Sequence, residues 1–284
     1  MATPTDTRNP VRQDAWVSLS LSFVLIVTLS AALAPWISPY SAGGLEEKRI
    51  LETPSFAHWM GTDGLGRDLL TRVLYGARVS MTVGVGTGII ALVIGTIYGL
   101  ISGFKGGAID QLMMRFVDIF YGLPDMLIFI LLSLLFGRNI GGLLAALGLV
   151  SWVRFARIAR GQVLQAKEFL FVDGARAMGA SRRRLVLRHI LPNITGPIIV
   201  TLTFSIPSAI LAESTLSFIG IGINDPYSSW GTSWGTLAQD GWRAMRTYPH
   251  VLFFPAAAIF LTILAFNFLG NGLRDWLDPK GGKR

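Results

Sequence analysis

Long apolar stretches separated by polar segments set the rhythm of this chain. A helix needs about 20 apolar residues to cross the hydrocarbon core of a bilayer. Six stretches approach that length: Trp16 to Ala34, Val79 to Ile101, Arg115 to Phe136, Ile140 to Ala159, Pro197 to Phe218 and Val251 to Leu269. Asp118, Pro124 and Asp125 interrupt the third, and Trp152 and Arg154 the end of the fourth. The pattern predicts an all-α integral membrane protein with six transmembrane helices. Ala32, Leu33 and Ala34 have the form of a signal cleavage site, but Pro35 follows them and the apolar run exceeds a usual signal core. A retained helix is expected there.

Charge orients the spans. Arg154, Arg157, Arg160, Lys167, Arg176, Arg182, Arg183, Arg184 and Arg188 crowd the segment between Arg154 and Gly196, against two acids, Glu168 and Asp173. By the positive-inside rule this segment is cytoplasmic. Lys105, Arg115 and the basic residues of both tails then fall on the same side. The loop from Pro35 to Arg78, where five basic residues are matched by five acids, falls outside. Both termini are expected in the cytoplasm. The expected organisation is a cytoplasmic tail over 1–15, a first span and extracytoplasmic loop over 16–78, a five-helix core over 79–271 containing a cytoplasmic loop at 160–196, and a cytoplasmic tail over 272–284.

The basic segment has its own grammar. Gly179 can adopt the left-handed conformation that ends one helix, and Ser181 can cap the next, whose last turn meets Pro192. A helical elbow beneath the membrane suits docking against another protein. In the second span, Gly84, Gly88, Gly95, Gly99 and Gly103 put small residues on one face for close helix packing. Pro197 and Pro207 predict a kinked fifth span beside a cavity.

Composition narrows the chemistry. The chain is 51% apolar and 15% charged, and its net charge of +8 is concentrated in the basic segment without interleaved aromatics. Membrane orientation explains that charge better than nucleic-acid binding. There is no cysteine, and His58, His189 and His250 lie far apart with no metal-ligand spacing. No Gly-x-x-x-x-Gly-Lys-Ser/Thr phosphate loop is present, so the chain is not itself a P-loop ATPase. Neither a nucleophile elbow nor a catalytic carboxylate pair occurs, and no catalytic residue is expected. Glu213 is the acid set well inside a span. It is a candidate for gating or for the pathway, as is Pro207; the alternative is a bond to a neighbouring helix.

These residues resemble the signature of bacterial ABC-importer permeases, an acid-plus-small-residue triplet followed by glycine and a terminal Leu-Pro. Asp173, Gly174 and Ala175 occupy the triplet, then come Arg176, Ala177, Gly179, Ala180 and Ser181, and Leu191 and Pro192 close the motif. Asp173 stands for the family's glutamate, Gly174 for an alanine, and His189 for an isoleucine. Three further stretches resemble the C-type subunit of oligopeptide/dipeptide importers. The first is the extracytoplasmic run His58 to Asp68 with Gly61, Thr62, Asp63, Gly66, Arg67 and Asp68, followed by Arg72, Gly76, Arg78 and Ser80. The second is Glu213 to Gly222 with Ser229, Trp230 and Gly231, and the third Phe266 to Pro279.

The resemblance implies a type I permease fold in the bacterial inner membrane, forming half of a translocation pathway. It implies a homologous second permease as heterodimer partner, two cytoplasmic ATPases that carry ATP and magnesium, and an extracytoplasmic substrate-binding protein. No cofactor or metal is expected in this chain. The stretches Phe116 to Pro124 and His189 to Pro197 lean toward oligopeptides, while relatives carry nickel complexes, glutathione or other solutes. An ion-coupled secondary transporter would carry internal repeats and several buried ionisable groups, and a channel a filter or charged ring. The sequence offers neither.

Overall fold

The structure, a computed structural model, describes residues 10–41, 49–223 and 230–277, with side chains from residue 15 onward. Ser229, Asp278, Pro279 and the remaining parts of the two tails lie outside the described residues. Among the described residues nine helices organise the fold, taking Arg182–Phe218 as one. They are α1 (Pro10–Ile37), α2 (Leu69–Lys105), α3 (Gly107–Tyr121), α4 (Asp125–Phe136), α5 (Ile140–Ala166), α6 (Leu170–Ala177), α7 (Arg182–Phe218), α8 (Trp234–Ala244) and α9 (His250–Leu277). Among the described residues there is no strand beyond one isolated bridge between Thr62 and Asp68.

Short polar side chains start the long helices. Asp68 accepts the Thr71 N–H at 2.8 Å and Asn139 accepts the Gly142 N–H at 2.9 Å, each satisfying an orphan donor of a first turn. At the other end of α2, the Lys167 ammonium donates to the carbonyls of Gly103 and Phe104 at 3.1 and 3.3 Å. A cation there suits the negative end of the helix dipole.

α2 and α5 form the central pair. Glycine removes the side chain where they touch: a Cβ at Gly95 would lie 2.3 Å from the Trp152 carbonyl oxygen, and one at Gly99 2.4 Å from that of Ala156. Gly103 meets Val163, whereas Gly84 and Gly88 meet Ile210, Leu202 and Ile206 of α7. The glycines form one stripe that serves two partner helices at different heights, Gly84 and Gly88 against α7 and Gly95, Gly99 and Gly103 against α5. α9 packs on α7 and α8, and α1 lies outermost. Only 17% of the most apolar window of α1 is buried, against 61% for α5. Leu25, Ile26 and Leu29 of α1 are exposed. An apolar surface of this kind belongs in lipid.

The described residues contain five helices long and apolar enough to span, and up to six if a bent pair counts as one. That pair is α3 and α4, which meet at 88°. The expected third span, Arg115 to Phe136, is thus a broken helix. Its cause is local: Pro124 biases Leu123 away from helical backbone, and Pro124 itself holds ψ of 120° before α4 begins. The expected boundary between 78 and 79 falls inside α2. With 37 residues, α2 is about 55 Å long, well beyond a bilayer core.

The ends of the expected basic loop are also helical. α5 continues to Ala166, so Arg160, expected to open the loop, sits with Arg154 and Arg157 on the same helix. α7 begins at Arg182 and runs through Pro192 to Phe218 without the expected stop. A π-helical turn at Leu185–Ile190 precedes Pro192. Widening the ladder there accommodates the proline ring and its missing N–H.

Candidate functional site

The elbow is built from α6, Gly179 and the start of α7. Gly179 adopts φ of +81°, the left-handed backbone expected of it. Its N–H donates to the Arg176 carbonyl and that of Ala180 to the Ala175 carbonyl, both at 3.0 Å. These bonds close the end of α6. Ser181 then caps α7, its hydroxyl accepting the Arg184 N–H at 3.4 Å.

The elbow is anchored from within and open from without. Val172 and Ala175 of α6 and Leu185 and Ile190 of α7 are buried in one core with Val163 and Ala166 of α5. On the outer surface Leu170 is 89% and Met178 84% exposed, beside Phe169, Phe171 and Arg182 to Arg184. A Cβ at Gly174 or Gly179 would meet no atom within 4 Å. Asp173 and Arg176 pair on this surface at 3.0 Å, and Ala177 is exposed. Ala180 and Leu191 are half-buried, and Pro192 is exposed. A short rigid unit with an apolar outer face is suited to transmitting a push from a partner.

The same end of the molecule is tied together by charge. The Arg160 guanidinium makes a two-pronged contact with Asp110, 2.6 Å to each oxygen, and Ser102 also donates to Asp110. This joins α5, α3 and α2. Sequence reasoning missed it, because fifty residues separate Arg160 from Asp110.

At the opposite end, Gly61 to Asp68 folds into a compact knot. Gly61 and Gly66 have φ of +79° and +75°. At Gly61 a side chain would also strike the Glu52 carbonyl oxygen at 2.4 Å. The Thr62 hydroxyl accepts the Glu52 N–H at 2.8 Å. Asp63 is the centre. It accepts the N–H groups of Leu65 and Arg67 (2.8 and 2.9 Å), the Arg67 Nε–H (2.8 Å) and the Arg72 Nη1–H (2.6 Å). Arg72 continues to Asp240 at 3.2 Å and Thr232 at 3.1 Å, joining the knot to α8. Burial pushes the Asp63 carboxyl up, but the Arg72 and Arg67 guanidiniums, with the N–H groups of Arg67 and Leu65, outweigh it and hold it below its ordinary value. Asp68, beyond capping α2, pairs with His58 Nδ1 at 2.9 Å.

Glu213 is fully buried. Its carboxylate accepts the hydroxyls of Ser80 (3.1 Å), Ser217 (2.6 Å) and Ser214 (3.4 Å), and Ser80 in turn accepts the Trp234 N–H at 3.2 Å. The arrangement ties α7 to α2 and α8. A bond to a neighbouring helix was the alternative weighed from the sequence, and Ser80, part of a separate motif there, makes it across to α2.

Pro207 is buried in α7. Close to it lies a cavity of about 310 Å³ bounded by the α3–α4 break, α5 and α7, with Ser205, Ser208, Ser151, Asp125 and Arg154 among its lining. The cavity expected beside the fifth span is present.

A spanning helical bundle with a broken helix, a lined cavity and an anchored, outward-facing elbow defines a membrane-transport subunit. Residues 95–282 match the family described as binding-protein-dependent transport system inner membrane component, and the chain belongs to that family. It is 45% identical over 279 residues to the dipeptide transport system permease protein DppC of Bacillus subtilis, covering 94% of this chain and 85% of that one. It is 43% identical over 263 residues to the oligopeptide transport system permease protein OppC of Haemophilus influenzae (92% and 83%). To the glutathione transport system permease protein GsiD of Pectobacterium atrosepticum it is 38% identical over 274 residues (96% and 89%). A crystal structure described as an amino acid ABC transporter with histidines shares the fold, with a TM-score of 0.50 at 19% identity, covering 74% of this chain and 99% of that one. The relatives are named as transport permeases, and the chain is a transport subunit, not an enzyme.

Proposed function

We propose that this chain is half of the translocation pathway of an ATP-driven importer of dipeptides and oligopeptides. Its partners on this reading are a homologous second permease, two cytoplasmic ATPases that bind ATP and magnesium, and an extracytoplasmic binding protein. Both termini and the elbow face the cytoplasm. The observation that carries the reading is the elbow: Gly179 at φ +81°, a core-anchored inner face, and an apolar, arginine-flanked outer face with open space around Gly174 and Gly179. Asp173, Arg176 and the neighbouring small residues would seat in an ATPase groove, and the Gly61–Asp68 knot would shape the surface met by the binding protein. The likeness to dipeptide and oligopeptide permeases favours peptides; the likeness to a glutathione permease is the observation behind a second reading, glutathione.

Gly179→Val tests the coupling role. A β-branched residue in left-handed backbone costs about 1 kcal/mol or more, and its side chain would project into the partner's groove. The variant should insert in the membrane at near-normal abundance, yet either hydrolyse ATP without uptake or lose its ATPases. Arg183→Ala, whose orienting role is shared with other basic residues, should be mild. Normal uptake by Gly179→Val with ATPases bound would remove the coupling role. Competition among a dipeptide, a pentapeptide and glutathione for uptake by the complete importer decides the substrate.

A further inference from the structure

Two opposite charges line one cavity of this molecule without a partner among the described residues. Arg154 stands 14 residues from the first residue of α5 and 12 from the last, which places it about 20 Å from either end. Both Arg154 and Asp125 are exposed to the cavity of about 310 Å³ between the α3–α4 break, α5 and α7. Nearby, Arg157 is already committed. It donates to Asp118 at 2.7 Å and lies over the Tyr121 ring at 3.7 Å. Arg154 and Asp125 make no hydrogen bond or ion pair among the described residues.

A cation and an anion left without partners on spanning segments are costly unless they face water or a ligand. If their purpose were only to hold the bundle together, pairing with each other would be the cheapest arrangement. Instead they line different walls, Asp125 at the first turn of α4 and Arg154 on α5. The cavity between them has an apolar floor of Phe129, Leu147 and Val150, with the hydroxyls of Ser151 and Ser208 among its polar groups. The volume lies at the lower bound of ordinary ligand pockets, about 300–1,000 Å³. Asp125 sits in the first turn of α4, where the positive end of that helix's dipole favours its charge and opposes the negative end of α3 across the break.

We propose that this cavity is a transit site for the two charged ends of a zwitterionic peptide. Asp125 receives the α-ammonium and Arg154 the α-carboxylate. The guanidinium fork matches a carboxylate with two parallel hydrogen bonds. The serines receive backbone amides and the apolar floor receives side chains. The site rests on the peptide reading given above, and it adds a filter inside the membrane to whatever selection occurs outside.

The test uses the complete importer in proteoliposomes, with binding protein saturated by a radiolabelled dipeptide, and reads peptide moved per ATP hydrolysed. Loss of one charge-assisted bond corresponds to about tenfold to a hundredfold. Asp125→Asn and Arg154→Gln should each lower the ratio by that order, and Arg154→Lys should recover part of it, which a purely structural role would not predict. Wild-type movement of peptide with the ratio unchanged in both variants would overturn the site and leave the peptide reading standing. So would ATP hydrolysis falling in step with uptake, or failure of the variants to copurify with the second permease, since those results assign the pair to coupling or to the subunit interface. A wild-type importer that moves glutathione and no other peptide would overturn the dipeptide and oligopeptide reading itself.

Discussion

Asp63 shows how much one carboxylate can organise. It is buried, and each of its oxygens accepts two hydrogen bonds. Removing one member of a buried ion cluster leaves uncompensated charge, at a cost of about 3–5 kcal/mol. Asp63→Asn should therefore lower the thermal unfolding midpoint of the purified chain, and Arg72 should lose its register with Asp240. The pH dependence follows from the same contacts. The folded carboxyl titrates below its ordinary 3.8, so its contribution is complete above that value and is lost as pH falls through the lower folded value. Melting curves should show no loss from this group between pH 7 and 5, and the loss below pH 3.8 should be absent in Asp63→Asn. Glu213 makes a second case. Glu213→Gln keeps the volume and an acceptor for the serines, whereas Glu213→Ala strands Ser80 and Ser217 and should cost about 1–3 kcal/mol for each buried group left without a partner. Equal melting temperatures for the two variants would show that the serine contacts contribute nothing.

Between elements, the α2–α5 contact is set by what glycine lacks. Gly99→Leu drives a side chain into the Ala156 carbonyl oxygen and Ala159, and the two helices must part. Overpacking of this kind costs about 1–3 kcal/mol or more. The comparison is Gly161→Leu, on α5, where a Cβ meets no atom within 4 Å. In detergent, the single chain should melt well below wild type with the first change and close to wild type with the second. A similar loss in both would show that helix propensity, and not the close approach, governs the result. The break between α3 and α4 was legible in Gly122, Leu123 and Pro124, because a proline restrains the residue before it. It was hidden by apolar length, which reads through a bend.

For the whole molecule, the balance of charge and the absence of a phosphate loop make two predictions. Ser55→Cys should react with a membrane-impermeant thiol reagent in intact cells, and Ser181→Cys should not; the native chain carries no cysteine to interfere. The reverse pattern would invert the topology. The purified chain should hydrolyse no ATP until its partners are added. Proton-driven uptake by this subunit alone in vesicles would sink the importer reading.

Local sequence is enough to set the helical class, five of the six spans with their approximate ends, the left-handed turn at Gly179, the cap at Ser181 and the four motifs that carry the resemblance. These depend on apolar run length, on backbone permissiveness and on side chains that bond their own near neighbours, all of which are local. Which residues meet across long separations depends on how the helices pack. Ser80 finds Glu213, Arg160 finds Asp110 and Arg72 finds Asp240 because α2 is the axis against which α5, α7 and α8 pack. Helix packing extended the fourth span past its expected end at Ala159, which leaves Arg154 midway along α5 and puts Arg160 on the helix instead of in the loop. It also carried α7 straight through Pro192, since a π-helical turn relieves locally what proline would otherwise break. Helix direction and close packing set these outcomes, and neither is encoded in the spacing of residues along one segment.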